Sequence, residues 1–268
     1  MHLREIRIER NQEDVADVYP FHVPTLRELA GVELTTPITF LVGENGSGKS
    51  TFVEALAWAS ESVAAGSESI ALDVSLRHVR PLGEAMRLIW SRRTRRGFFL
   101  RAEDFFGFVN RTKTEIAELE EEVQRVRAEH ADLPEVELAR RCAPYTKSIA
   151  ELRSRYGADP DAASHGEQFL NFFEQRLAPG GLYLLDEPEA PLSPMRQLTF
   201  LSIVMAAATE RDCQFLICTH SPILMAATGA RILSFDQVPI AEVAYDDLEH
   251  VTLTRDFLNR PGAFLRHL

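Results

Sequence analysis

Cysteine and lysine are both scarce in this chain of 268 residues. The three cysteines, Cys142, Cys213 and Cys218, form no Cys-x-x-Cys pair and leave an odd number, which excludes a secreted disulfide scaffold and a zinc finger. A reducing cytoplasmic setting is expected. No apolar run approaches the roughly 18 residues of a membrane span, and residues 1–10 alternate charged with aliphatic side chains, so no insertion into a bilayer is expected. Only three of the 29 basic residues are lysine, namely Lys49, Lys113 and Lys147. Genomic base composition accounts for such a skew, and it makes the context of each lysine informative. With a net charge of −11, the surface as a whole opposes non-specific nucleic-acid coating, which depends on cations neutralising phosphates.

What is present is a globular composition, 45% hydrophobic and 26% charged, in a chain long enough to bury a core without disulfides or metals. The alternation of Leu3, Ile6 and Ile8 with charged residues predicts an edge strand. Residues 38–42 form a continuous β-rich apolar run, as a strand buried on both faces requires. A glycine-rich segment follows, and then Phe52, Val53, Leu56, Ala57 and Val63 predict a helix over 49–65. Further buried strands are expected at 182–185 and 215–218, with a helix at 194–210 between them, which completes a parallel β/α pattern. Ile116, Leu119, Val123 and Val126 predict an amphipathic helix over 112–130. It is too short before Pro134 to declare a long coiled coil, so a helical insertion at about 103–175, forming a hairpin or lid, is expected.

Three segments carry chemistry. Gly43, Glu44, Asn45, Gly46, Ser47, Gly48, Lys49 and Ser50 fit G-x-x-x-x-G-K-[ST] between a strand and a helix, with Thr51 next in line. Glycines let the backbone wrap an anion so that N–H groups and the helix N-terminus point at phosphates. Lys49 would add charge at the β- and γ-phosphates, and the Ser50 hydroxyl a ligand to Mg²⁺. The run 182–187 ends in Asp186 and Glu187, at the strand end that lines a ligand crevice in a parallel sheet. Asp186 would hold Mg²⁺, and Glu187 would orient or deprotonate an attacking water. After the 215–218 strand comes Thr219-His220-Ser221-Pro222, where His220 could sense a γ-phosphate.

Together these motifs resemble the ABC-type ATPases. Residues 163–168, Ala-Ser-His-Gly-Glu-Gln, look like the family signature, with Ala163 in place of Leu and His165 in place of the first Gly. The segments Asp186-Glu187-Pro188-Glu189 and Leu192-Ser193-Pro194, with the histidine motif, resemble the soluble branch related to RecF and SMC proteins and its stand-alone members. The resemblance implies a P-loop α/β domain spanning 1–268 with a short inserted helical subdomain. It also implies ATP and Mg²⁺ as cofactors and a cytoplasmic, ATP-dependent homodimer in which Ser164 and Gly166 of one subunit complete the site built on Lys49 of the other. Glu187, His220 and Lys49 are its expected catalytic residues, and DNA or an effector protein its possible downstream partner. A transporter's nucleotide-binding subunit and a non-hydrolysing ATP-gated switch are the alternatives.

Other positions stay open at this level. Either Arg101 or Glu103 could serve the loop joining core and helical subdomain. Tyr19 could stack on adenine or belong to the core. Arg92, Arg93, Arg95, Arg96 and Arg101, with Trp90, Phe98 and Phe99 between them, could contact a phosphate backbone or pair with the acidic surplus.

Overall fold

The computed structural model describes residues 1–9, 19–64, 74–156 and 165–266. It divides into two compact units, one formed by Met1–Ala102 with Leu177–Leu268 and the other by Glu103–Arg176.

The first unit is built on two sheets. Strands β1 (Leu3–Ile8), β2 (Gly31–Glu33) and β4 (Met86–Trp90) make a small antiparallel sheet in the order β2-β1-β4. The first strand is therefore central, not the edge strand its sequence predicts; alternating side chains report one buried face and say nothing about which strand edges are paired. The larger sheet runs β5 (Gly97–Arg101), β6 (Leu182–Asp186), β7 (Gln214–Cys218), β3 (Ile38–Val42), β8 (Arg231–Ser234), β9 (Ala241–Glu242), parallel except for β9. Every residue of β3, β6 and β7 is buried, as central parallel strands require.

Helix α2 (Lys49–Ala59), which follows the short α1 (Pro24–Arg27), packs between the sheets. Phe52, Val53 and Leu56 join one core with Leu3, Ile6 and Val32 of the small sheet and Leu41, Leu184 and Leu216 of the large one. Each such burial is worth about 1.5–3 kcal/mol. Gln214 ties the layers directly: its Oε1 accepts from the backbone N–H groups of His2 and Leu3 at 2.9 Å each, and its Nε2 donates to the Leu3 carbonyl at 2.8 Å. The helix expected to reach residue 65 stops at Ala59. Glu61 takes a left-handed φ of 55°, Ser62 N–H bonds back to the Ala57 carbonyl, and Ala64 bridges Phe99 as extended chain. Polar Ser60, Glu61 and Ser62 offer no apolar face to continue the helix.

After the 3₁₀ turn Val74–Val79 comes α3 (Arg80–Ala85), and later in the chain than β6 come α7 (Pro194–Glu210), α8 (Pro222–Met225), the 3₁₀ turn Tyr245–Asp247, α9 (Glu249–Asn259) and α10 (Pro261–Leu265).

The second unit is helical. Helix α4 (Ala102–Glu129) starts ten residues earlier than its periodicity predicts and forms a hairpin with α5 (Glu135–Tyr156), held by an Arg153–Glu120 pair at 2.6 Å. Helix α6 (His165–Gln175) brings Phe169 and Phe172 against Phe105 of α4, edge-on at 5.1 and 5.3 Å between ring centroids.

No described helix is long and apolar enough to cross a membrane.

Candidate active site

Register decides where the chemistry collects. Leu41 of β3 and Asp186 of β6 both lie opposite Cys218 of β7, so the carboxyl ends of three adjacent parallel strands open at one edge. The glycine loop leaves β3 there, the acidic pair ends β6, and Thr219 and His220 follow β7.

In the loop, Gly43 has φ +144° and Gly48 φ +101°, both outside the range of ordinary side chains. A Cβ on Gly43 would meet Asp236 Oδ1 at 2.8 Å, and one on Gly48 would meet Leu26 Cγ at 3.0 Å. Gly48 begins α2 with no side-chain cap, leaving the helix N-terminus open to an anion. Lys49 is buried, and its Nζ donates to the carbonyls of Gly43 at 2.6 Å and Glu44 at 2.9 Å. Glu44, Asn45 and Gly46 form the exposed crest, with Ser47 half-buried behind them.

The Ser50 hydroxyl donates to Asp186 Oδ1 at 3.1 Å. Two oxygens at that separation match neighbouring corners of an octahedron with bonds of about 2.1 Å, which is the geometry Mg²⁺ demands. Burial pushes the Asp186 carboxyl up to about 6, with Glu54 and Glu187 adding to it while the Ser50 hydrogen bond and Arg101 oppose it. A cation would relieve that cost. Among the described residues no group of three or more His, Cys, Asp or Glu side chains gathers to hold a metal, so phosphate and water would complete the shell.

Glu187 has a left-handed φ of 49°, uncommon for a residue with a side chain and found where a site stores strain. Its backbone N–H bonds to the Cys218 carbonyl, and its Oε1 lies 3.8 Å from His220 Nε2. That nitrogen is buried with no hydrogen-bond partner. His220 is held below the usual histidine value by burial first, then by Lys49 and His250, with Glu187 and Glu44 pulling the other way.

Sequence reasoning gave no role to four supports, each distant in the chain from the group it steadies. Glu189, whose carboxyl burial raises, accepts the His220 backbone N–H at 2.8 Å. Asp236, beyond β8, accepts the Glu44 N–H at 2.6 Å. His250 of α9 pairs with His220, Nε2 to Nδ1, at 3.1 Å. Glu54 of α2 lies 2.8 Å from Arg101 Nη2 and 3.1 Å from His78 Nε2. An acid just beyond β8 could have flagged Asp236, and Glu189 stands in the acidic motif after β6 already read for its resemblance; Glu54 and His250 had no local signal.

The remaining expected residues scatter. Arg101 ends β5 beside Asp186, buried and ion-paired with Glu54 without hydrogen-bond alignment, while Glu103 falls in the first turn of α4. Tyr19 donates to or accepts from the Thr51 hydroxyl at 2.9 Å, with His22 and His78 rings 5.3 and 5.4 Å away. Ser164 lies outside the described residues, and Gly166 is buried in α6. Of the arginine cluster, Arg92 pairs with Asp212, Arg93 lies 3.5 Å from Glu61, and Arg96 donates to the Pro179 carbonyl at 3.0 Å.

Known proteins bear on the same residues. Among curated proteins none matches the chain in sequence. Among solved structures it is similar, at 13% identity and a TM-score of 0.44 over 96% of this chain and 99% of that one, to the Pyrococcus furiosus Smc head domain with an extended coiled coil, bound to the C-terminal domain of ScpA. It is similar to the Thermotoga maritima SMC head domain at 14% and 0.44 over 91% and 98%. It is similar to cbiO1 of Clostridium perfringens, part of the ABC transporter complex cbiONQ, at 15% and 0.48 over 98% of each chain. A family model described as "AAA domain" matches residues 22–78, which include the glycine loop. A second, described as "AAA domain, putative AbiEii toxin, Type IV TA system", matches residues 82–226, more than half of the chain and including both acids and His220. The chain thus belongs to the AAA-domain family of P-loop ATPases, in keeping with the ABC-type resemblance of its motifs.

Proposed function

We propose that this chain binds ATP with Mg²⁺ and hydrolyses it, acting as one ATPase domain with an inserted helical subdomain and closing around nucleotide as a cytoplasmic homodimer. The observation that carries the reading is the Ser50–Asp186 contact at 3.1 Å, next to Lys49 and flanked by Glu187 and His220. Ser50 and Asp186 would hold Mg²⁺, which when bound supplies positive charge against the β- and γ-phosphates. Lys49 exchanges its loop carbonyls for phosphate oxygens, a small movement for an ammonium already inside the loop. Glu187 takes a proton from water as the water oxygen bonds to the γ-phosphorus and the bridging P–O bond to ADP breaks. His220 offers its buried, unpartnered Nε2 to the charge that develops.

The resemblance adds that Ser164 and Gly166 of a second copy complete the site, so ATP would bridge the two subunits. For the downstream partner we favour an effector protein over DNA, because three of the four arginines between β4 and β5 already have partners within the chain. Phosphate release from ATP, measured with and without Mg²⁺ and with and without DNA, tests the reading. Turnover that needs Mg²⁺ supports it. Tight binding without turnover would instead mark an ATP-gated switch, and co-purification with an integral membrane protein a transporter subunit.

A further inference from the structure

His220 has two ring nitrogens with different surroundings. Its Nε2 is buried without a partner 3.8 Å from Glu187, and its Nδ1 meets His250 Nε2 at 3.1 Å. Burial, Lys49 and His250 all disfavour the imidazolium, against the pull of Glu187 and Glu44, so the neutral ring is the relevant species and its single proton must choose a nitrogen. Which nitrogen carries it is set by the hydrogen bond the other makes. A proton on Nδ1 would leave an Nε2 lone pair facing the Glu187 carboxylate. A proton on Nε2 gives a donor facing that carboxylate and the place where phosphate charge would grow.

We infer that His250 is a positioning residue for the proposed hydrolysis: its Nε2–H donates to His220 Nδ1 and so holds the proton of His220 on Nε2. His250 is built into place. It sits in the first turn of α9, whose entry is pinned where the Tyr245 hydroxyl donates to the Pro222 carbonyl at 3.0 Å, two residues beyond His220. Leu248 and Val251 are buried on either side of it, while Leu253, Phe257 and Leu258 further along the helix are exposed. The first turn of α9 is thus seated and the remainder rides on the surface. Glu44 Oε1, 4.0 Å from His250 Nε2, is the other acidic group facing the pair from the glycine loop.

The inference rests on the ATPase reading for its consequence but not for its geometry, and two measurements separate them. In the nucleotide-free full chain, two-bond ¹H–¹⁵N spectra of the histidine rings, with His220 assigned by its loss in His220→Gln, should show the Nε2–H form. His250→Phe keeps a flat ring but no donor and should shift His220 to a mixture or to the Nδ1–H form. His250→Gln, whose amide can donate, should preserve the wild-type form. In steady-state turnover, His250→Phe should lower kcat by roughly 10- to 100-fold with KM for ATP within about twofold, less than the roughly 10⁴ lost when a triad histidine is held in the wrong tautomer, because here the ring is one of several charge stabilisers. His250→Gln should recover most of that loss. A His220 signature unchanged in His250→Phe overturns the inference even where ATP is hydrolysed. A chain that shows the tautomer shift and never hydrolyses ATP overturns the functional reading instead.

Discussion

Glu189 Oε1 accepts a 2.8 Å hydrogen bond from the backbone N–H of His220, which makes the acidic loop after β6 and the histidine loop after β7 one hydrogen-bonded unit. Neither loop can move without the other's partner being exposed. Replacing Glu189 by Ala leaves a partly buried N–H unpaired, at a cost of about 1–3 kcal/mol, and should lower Tm by several degrees. Turnover should fall about tenfold while ATP binding stays within a few-fold. Glu189→Gln keeps an acceptor oxygen and should recover most of both losses. Thermal melts and single-turnover rates read the two effects separately.

Lys49→Ala should remove nucleotide binding and leave the fold intact, since its ammonium donates to groups of its own loop, the Gly43 and Glu44 carbonyls and the Ser47 hydroxyl. The variant's Tm without ligand should match the wild type. ATP at 100 times its Kd stabilises a binding-competent chain by about 2.7 kcal/mol, so the wild-type melt should rise with ATP and the variant's should not. An equal rise in both would remove Lys49 from the phosphate site.

The fold was legible where apolar runs were long and contiguous. Residues 38–42 and 194–210 form the expected strand and helix with the expected bounds, because a strand buried on both faces and a helix after proline each leave a local signature. The glycine loop, Asp186, Glu187 and His220 were legible for a related reason, each sitting at the end of such a strand. Glu54 and His250 were not, nor was the bond from Glu189 of the acidic motif to His220, because these contacts arise from packing between segments 30 or more residues apart, and no spacing rule encodes that distance. The early end of α2 at Ala59 turned on a left-handed Glu61, a conformation that glutamate rarely adopts.

Asp186 gives the nucleotide-free chain a pH dependence with a definite sign. Its folded pKa of about 6 lies above the value of 3.8 for the free side chain. Between those values the folded state holds the proton that the unfolded chain has lost, so stability falls as pH rises from about 4 to 6, by up to roughly 3 kcal/mol, and levels off above. Asp186→Asn should erase that fall and melt higher than wild type at pH 7. Mg²⁺ needs the carboxylate, so affinity for the Mg²⁺–nucleotide complex should climb through pH 6 in the wild type. Calorimetric melts across pH 4–8 and binding titrations across pH 5–8 give the two curves.

Charge removal at Arg92, Arg93, Arg95 and Arg96 together should leave ATP affinity unchanged. The pairs Arg92–Asp212 and Arg93–Glu61 are exposed, so their loss should shift stability little. If the cluster nevertheless contacted DNA, the salt slope of binding would flatten by nearly one log unit for each lost contact. A flat, salt-insensitive DNA titration for the wild type is the expected outcome.

Hydrolysis itself is tested most directly by phosphate release from Mg²⁺–ATP in the wild type beside Glu187→Gln. The variant keeps the shape of the side chain and one acceptor oxygen but cannot take a proton from water. The expected result is turnover in the wild type, reduced by roughly 10² to 10⁴ in the variant, with ATP still bound and an ATP-dependent dimer accumulating in light scattering. Wild-type turnover in Glu187→Gln, or none in the wild type, would contradict it.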